Sequence, residues 1–360
     1  MAPTAWAQDD ESIQRVRTLI ERLDAAEFSA RELATQDLID LGPVTIPLIQ
    51  QTVISGNREL QTRGFYVLKE LAINEDIEGP APAREALEAL QTKPSSFLKR
   101  RSKLVLEELN TLREAKTLAY FQERGAIKDD RPVVANNFIS DPNQYGLALS
   151  ESYRGQPEDL TRLKYLPGLV TLELTGDWVD DELMEIVAKI DQVRQVSIRK
   201  AKITNQAAAV LSQHANLEGL EVRYCNIDDK CLDALKRFQF LTKLMLVGTQ
   251  ISPQSALELE ELLGVSVVDY RRGGFLGVSC VTDNLGCRVS RLVPKSAADQ
   301  LGIRVSDRIQ KINDTSIATS EGLIEAISEF KMGDEVEVTW IQGTETKSGK
   351  AKLGEYQDLQ

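Results

Sequence analysis

The first third of the chain carries apolar residues at helical spacing. In the first stretch they recur every three or four positions: Ile13, Val16, Leu19, Ile20 and Leu23. Similar stretches follow, separated by the glycine and proline residues that end helices: 28–42, 57–72, 83–91 and 95–121. The pattern therefore predicts an all-helical region over residues 9–126.

A second pattern repeats every 24 residues between about residues 169 and 270. Five hydrophobic segments begin one period apart: Leu169, Val193, Leu217, Leu241 and Val265. Within a unit, alternating apolar positions predict a strand, and a further apolar position 18 residues after the first predicts a helix. One such unit buries its apolar face only against its neighbours, so the units are expected to stack.

These units fit the spacing L-x-x-L-x-L-x-x-x-x-L and resemble the leucine-rich repeat family. The resemblance implies a short solenoid over 145–270, with clear units from residue 169. Position nine of the family motif often holds Asn or Cys, and here it holds Asp177, Ala201, Cys225 and Thr249. Because only Cys225 matches, a regular asparagine ladder is not expected.

The N-terminal helices are similar to HEAT-type repeats around the Gly-Pro turn at Gly42. The residues that carry this resemblance are Phe28, Arg31, Leu33, Ala34, Leu38, Leu41, Gly42, Ile46 and Leu48. They imply an alpha-solenoid-like arrangement of helix pairs. An unrelated small helical bundle is the alternative interpretation.

A third pattern, over residues 273–354, resembles a PDZ domain of the bacterial type that is attached to high-temperature-requirement serine proteases. The matching residues are Phe275-Leu276-Gly277-Val278, Val293-Pro294, Gly302, Asp307, Ile309, Ile312-Asn313 and Gly333-Asp334. The chain departs from the family at Lys295 and Ser306, where glycine is usual. Those departures leave the fold unaffected and put the geometry of two turns in doubt.

The three patterns predict a multidomain chain of α, α/β and mainly β parts. A helical domain is expected over 9–126 and a connector over 127–144, with one short strand at Val133–Val134. A leucine-rich repeat solenoid over 145–270 and a PDZ fold over 271–356 follow.

The PDZ resemblance implies a peptide-binding groove between a strand and a helix. Its expected residues are Leu276, Gly277, Val278, Ser279, Cys280, Leu323, Ile324 and Ile327. A ligand's free carboxylate would sit on the backbone N–H groups of the glycine-containing loop. The apolar walls suit a protein or peptide ending in Val, Leu or Ile. A groove closed by the neighbouring repeats is the alternative.

Stacked parallel strands predict a second binding surface on the exposed face of the repeats. Side chains between the leucines point away from the core, so this surface is centred on Arg199, Glu221, Arg223, Tyr224 and Met245. The two arginines would stand ~4.8 Å apart by strand spacing. A solvated face, with Glu221 paired to the arginines, is the alternative.

Cys280 and Cys287 flank a predicted hairpin with a two-residue turn at Asp283-Asn284. That turn would place the two cysteines opposite each other and allow a cross-strand disulfide in an oxidising compartment. Two thiols on offset faces are the alternative.

Charge and composition narrow the possible functions. The net charge of −12 argues against nucleic-acid binding. His214 is the only histidine, so no His-rich metal site is expected, and it is interpreted as a partly exposed structural residue. The sequence shows no nucleotide-binding, metalloprotease or serine-hydrolase motif, and we expect no enzyme activity, metal or cofactor. A hydrolase built on a pair of carboxylates is the remaining enzymatic alternative.

No apolar run approaches the ~20 residues of a membrane-spanning helix. Ala5-Trp6-Ala7 resembles the end of a secretory signal peptide, which predicts export, with the cytoplasm as the alternative. The sequence does not specify an oligomeric state. Together these features predict a non-catalytic adaptor that captures protein C-termini with its PDZ domain and a second partner with its repeats. The alternative is a regulatory or substrate-presenting subunit of a protease or other enzyme complex.

Overall fold

A computed structural model describes residues 5–75, 79, 81–130, 143–264 and 266–356, without the side chains of residues 5–10. The strand expected at Val133–Val134 and the start of the fifth repeat at Val265 lie outside these residues. The chain folds as two compact units, Met1–Tyr120 and Phe121–Gln360.

The first unit is built from helices, as its apolar spacing predicts. The helices are α1 (Ala5–Arg22), α2 (Phe28–Leu41), α3 (Ile46–Ser55), α4 (Arg58–Asn74), α5 (Pro82–Gln91) and α6 (Ser96–Glu123), which runs on into the second unit. Gly42, at a φ of 74°, ends α2 where a side chain would be strained. The core of the unit contains the fully buried side chains of Leu38, Ile49 and Phe65.

A seven-stranded sheet begins the second unit. Its strands are β1 (Ile127–Asp129), β2 (Tyr145–Leu149), β3 (Leu169–Thr175), β4 (Gln195–Arg199), β5 (Gly219–Arg223), β6 (Lys243–Val247) and β7 (Val268–Arg271), in that spatial order. Among the strands described in this sheet, β1 is antiparallel to its neighbour and the others run parallel to theirs. Helices connect the successive parallel strands: α7 (Asp181–Val187), α8 (Asn205–Leu211), α9 (Leu232–Leu235) and α10 (Pro253–Leu263). Short 3-10 helices lie at Pro157–Tyr165 and Asp229–Cys231.

The sequence period sets the register of the parallel strands. From β3 to β7 each residue pairs with the one 24 positions later, as in Leu172, Val196, Leu220 and Leu244. These four side chains are buried in one layer against the helices. The opposite face of the sheet carries the polar positions between them, and we call it the sheet face.

The end of the chain forms a second β structure with two helices. Its elements are β8 (Gly274–Phe275), β9 (Val278–Asp283), β10 (Gly286–Leu292), α11 (Ala297–Gln300), β11 (Arg308–Ile312), β12 (Thr315–Ser316), α12 (Ser320–Ser328), β13 (Glu335–Gln342), β14 (Glu345–Lys352) and β15 (Gly354–Glu355). The main sheet has the order β14-β13-β11-β10-β9, which leaves β9 at an edge. Val289, Ile309, Val338 and Trp340 lie in its core.

The β9–β10 hairpin differs from the predicted register. Its turn lies at Asn284-Leu285, so Cys287 pairs with Thr282, and Cys280 pairs with Val289. Asp283 accepts a hydrogen bond from the Leu285 N–H at 2.9 Å, and Gly286 adopts a φ of 114°. Aspartate at the first position and glycine at the fourth favour this turn, and they shift the pairing by one residue on each strand.

Candidate functional site

A groove lies between the edge strand β9 and the helix α12. It encloses a cavity of about 420 Å³. All eight residues expected from the PDZ resemblance line this cavity: Leu276, Gly277, Val278, Ser279, Cys280, Leu323, Ile324 and Ile327. The neighbouring sheet does not fill it.

The loop at one end of the groove presents backbone donors. Gly277 has a φ of 93°, and a Cβ there would overlap the side chain of Ser296. The carbonyls of Leu276 and Gly277 accept N–H groups of Ala298 at 2.9 Å and Val293 at 2.8 Å. Within the described residues, the N–H groups of Leu276 and Gly277 donate to no backbone carbonyl. The loop therefore offers two free donors to an anion.

The other end of the groove is closed by hydrogen bonds between β9 and α12. The hydroxyls of Thr282 and Ser320 are 3.0 Å apart, and the Ser320 N–H donates to Thr282 Oγ1 at 2.9 Å. The open edge of β9 therefore extends from Val278 to Val281. An extended ligand can add as a strand over this length, since none of the described strands pairs with β9 on that side.

The walls of the groove are apolar. Leu323 and Ile327 are buried, whereas Ile324 is 55% exposed at the rim. Leu276 and Val278 face them from the loop and the strand. A side chain that enters between these residues leaves water for apolar surface, which favours apolar ligands.

Cys280 contributes a thiol to the same cavity. Its contact with Cys287 and its burial raise the pKa of the Cys280 thiol, so the thiol is protonated at neutral pH. The two cysteines are diagonal neighbours rather than opposite partners, and both are free thiols here. Their disulfide stays a prediction for oxidising conditions.

Two residues outside the expected eight also line the cavity, and one of them, Tyr356, was missed by the sequence analysis. Arg271, in the last strand of the parallel sheet, and Tyr356, after the last PDZ strand, both line it. The Tyr356 ring packs edge-to-face on Phe275, with ring centroids 5.5 Å apart. The sequence shows an aromatic residue just beyond the family match, but no local pattern indicates that Tyr356 reaches the groove.

Four of the five residues expected on the sheet face line a second cavity, of about 360 Å³: Arg199, Glu221, Arg223 and Met245. Several of their polar groups are paired within the chain. Arg223 and Met245 are buried, and the Arg223 guanidinium contacts both the Glu221 carboxylate and the Met245 sulfur. The Tyr224 hydroxyl donates to the Gly273 carbonyl at 2.7 Å. Arg199 pairs not with Glu221 but with Glu355.

Glu355 belongs to a segment that we call the strap, Gly354–Tyr356. Its carboxylate also lies 2.8 Å from the Lys200 ammonium. Burial raises the pKa of Glu355, but Lys200 and Arg199 outweigh it and hold this pKa below its usual value. The Tyr356 N–H donates to the Tyr224 hydroxyl, and the Tyr356 ring lies below the guanidinium groups of Arg223 and Arg271.

His214 is buried, although partial exposure was expected. Its Nε2 lies 3.1 Å from the Ile190 carbonyl, and its Nδ1 accepts the Asn216 N–H at 3.1 Å. The imidazole therefore ties adjacent units of the sheet together. Over the described residues, no cluster of three or more metal-ligating side chains occurs, and no helix has the length and apolarity needed to cross a membrane.

Comparison with known proteins places the groove in a family. Residues 274–353 match the family model described as PDZ domain. No curated protein matches the sequence. Among solved structures, the HtrA-type protease AlgW with a decapeptide is 16% identical, with a TM-score of 0.25, over 30% of this chain and 37% of that one.

A serine endoprotease from Yersinia pestis is 20% identical, with a TM-score of 0.23, over 30% of this chain and 38% of that one. The HtrA3 PDZ domain bound to a phage-derived ligand is 20% identical, with a TM-score of 0.20, over 22% of this chain and 84% of that one. The chain spans less than two fifths of the length of the two proteases. The family match shows a C-terminal PDZ domain, a module that indicates protein or peptide binding.

Proposed function

We propose that this chain is a non-catalytic adaptor that captures the free C-termini of other proteins in the groove between β9 and α12. The observation that carries the proposal is the pair of N–H groups on Leu276 and Gly277, which lack backbone acceptors in the described part of the chain. Donors at the end of an apolar groove fit a chain terminus, because the carboxylate accepts hydrogen bonds from the donors and the last side chain packs against the apolar walls.

The ligand would bind as an added strand beside Val278–Val281. Its carboxylate would accept hydrogen bonds from the loop, and its last side chain would pack between Leu276 and Ile327. The hydrogen bonds between Thr282 and Ser320 would make the ligand leave the groove beyond Val281. Affinity would be on the order of micromolar, since a flexible peptide must be ordered on binding.

We further propose that the parallel sheet is a leucine-rich repeat array and that α1–α6 form a HEAT-like module. The 24-residue register of the strands supports the first assignment. In this proposal the second partner binds the sheet face, where a cavity of about 360 Å³ is lined by Arg199, Glu221, Arg223 and Met245, together with Glu173, Ser197 and Lys243. The recognisable segments of the chain resemble binding modules, which supports a role without catalysis.

Fluorescence titration of the full chain tests the carboxylate assignment. Labelled hexapeptides ending in Val, Leu or Ile are compared with the same peptides amidated at the C-terminus. We expect the free acids to bind at least about tenfold more tightly, because amidation removes the charge-assisted hydrogen bonds. Equal affinity of the two forms would exclude the loop as a carboxylate site. Absence of binding by every free acid would exclude the groove as a C-terminus site.

A further inference from the structure

The carboxylate loop of the groove, Leu276-Gly277, directly follows the short strand β8. Among the described strands, β8 pairs only with β15, in a two-stranded sheet that is separate from the main PDZ sheet. In this pair Gly354 of the strap lies opposite Phe275. The Gly274 N–H also donates to the Phe330 carbonyl at 2.8 Å. The strand that leads into the loop is therefore held in large part by the strap.

The strap is held in turn by residues of the parallel sheet and of the positions just after its strands. The Glu355 carboxylate contacts the Arg199 guanidinium and lies 2.8 Å from the Lys200 ammonium. The Tyr356 N–H donates to the Tyr224 hydroxyl. Neither Lys200 nor Tyr224 lines the groove or the cavity on the sheet face. These two residues can therefore affect a ligand only through other residues.

Tyr224 reaches the chain on both sides of β8 and β15. Its hydroxyl accepts from the Tyr356 N–H and donates to the Gly273 carbonyl, one residue before β8, at 2.7 Å. Its ring packs against Gly248 and Gly273, where a Cβ would approach the ring to 2.5 and 2.9 Å. Burial raises the pKa of Tyr224 to about 12, so the hydroxyl keeps the proton that it donates.

The backbone at these two residues is an independent indication of a role for their side chains. The position after each strand has a positive φ in four successive 24-residue units: Gly176, Lys200, Tyr224 and Gly248. Such a backbone favours glycine and strains other residues. Lys200 and Tyr224 keep side chains there at φ values of 50° and 53°, and both side chains contact the strap. Strain that is kept at such positions points to a function for the side chain.

We infer that Lys200 and Tyr224 are positioning residues for the groove: through the strap and Gly273 they hold β8 and so fix where the N–H groups of the carboxylate loop point. This inference rests on the proposed capture of C-termini and deepens it. Donors that are fixed before a ligand arrives need not be ordered on binding, which favours affinity. The parallel sheet would thereby support a site that it contributes to without direct contact from these two side chains.

The experiment is fluorescence titration of the full chain with a labelled hexapeptide ending in Val, as the free acid and as the amide. Tyr224→Phe removes two hydrogen bonds and keeps the ring. We expect it to weaken binding of the free acid about threefold and to leave the amide nearly unchanged, because only the free acid depends on the loop donors. Tyr270→Phe is the matched control, since it removes a hydroxyl that donates to the Ile251 carbonyl at 2.8 Å in the same sheet. It should bind both peptides like the wild type.

Lys200→Gly separates positioning from stability. Glycine occupies the same position in two other units and relieves the positive φ, so urea denaturation should show a variant as stable as the wild type. We expect binding of the free acid to weaken about twofold, because the strap loses one of its two cations. This variant keeps the inference testable even if Tyr224→Phe does not fold.

The outcomes distinguish the inference from the proposed function. If Tyr224→Phe and Lys200→Gly both bind the free acid like the wild type, the positioning role is wrong and C-terminus capture stands. The positioning role is also wrong if free acid and amide weaken by the same factor, or if Tyr270→Phe weakens binding as much as Tyr224→Phe does. If the wild-type chain does not bind the free acid, or binds both forms equally, the proposed function fails together with the inference.

Discussion

The groove and the sheet face are both surfaces of the second unit that border a cavity, but they differ in whether their polar groups have partners within the chain. In the groove, the N–H groups of Leu276 and Gly277 lack backbone acceptors within the described residues, and the walls are apolar. On the sheet face, Arg223 and Arg199 are paired with Glu221 and Glu355. Unpaired donors beside apolar walls are prepared for a ligand, whereas a surface whose charges already have partners has less to gain from one.

The difference also shows why a row of charged residues does not by itself mark an interface. Arg199 and Arg223 stand side by side in register, as the repeat predicts. Two adjacent cations on a sheet require anions, and the chain supplies them internally. The sheet face therefore helps to hold the PDZ domain through the strap. That the sheet face also binds a partner is a proposal.

Reversal of a buried charge on the sheet face gives the largest expected effect. Arg223→Glu would place a carboxylate next to Glu221 in a buried position, and we expect it to lower the free energy of unfolding by about 3 kcal/mol or more. Arg194→Glu is the matched control, because Arg194 forms an exposed pair with Glu218 and should cost no more than about 1 kcal/mol. Urea denaturation measures both. Equal, small losses would mean that the sheet face is not internally satisfied.

Alanine at Gly277 tests the loop of the groove. The residue has a φ of 93°, and a Cβ would collide with Ser296. We expect peptide affinity to fall more than about tenfold and stability to fall by about 1–3 kcal/mol. Gly302→Ala is the control, because Gly302 has a φ of 81° but open space around it. It should show the backbone cost of about 1–2 kcal/mol with peptide affinity retained. Equal affinities of the two variants would contradict the loop assignment.

An aspartate at the rim of the groove tests its apolar wall. Ile324 lines the cavity and is 55% exposed, so Ile324→Asp should fold normally. We expect its peptide affinity to fall about tenfold, since the charge must lose water beside an apolar ligand side chain. Val305→Asp, at 54% exposure in the same domain but away from the cavity, should bind like the wild type. Unchanged affinity in Ile324→Asp would place the ligand elsewhere.

Glu355→Gln tests the strap and has the smallest expected effect. Because the pKa of Glu355 in the folded chain is below its usual value of 4.5, ionised Glu355 stabilises the fold above that pH. The stabilisation is lost as pH falls through the lowered pKa. We expect the variant to be less stable by about 0.5–1 kcal/mol at pH 7. The difference should shrink toward pH 3 in denaturation curves. A difference independent of pH would show that charge pairing does not hold the strap.

Much of the fold could be predicted from the sequence because its signals are local and periodic. The 24-residue step fixed which residues become neighbours on the sheet, since a shift of one position would expose every leucine. The eight expected residues of the groove also come together in one cavity, because they belong to one loop, one strand and one helix. The turn of the hairpin at Asp283 was predicted one residue too early, so each β9 residue pairs with a β10 residue two positions from the one expected, although Asp283 and Gly286 carried the turn signal.

The sequence by itself determined the helical region, the strand register, the absence of known catalytic motifs and the segments that frame the groove. Only the tertiary structure decided that Glu355 reaches Arg199, 156 residues away, and that Arg271 and Tyr356 close the end of the groove. Periodic burial is encoded in neighbouring residues, so a pattern reveals it. A contact between distant segments depends on how the whole unit packs, and no local pattern in either segment carries it.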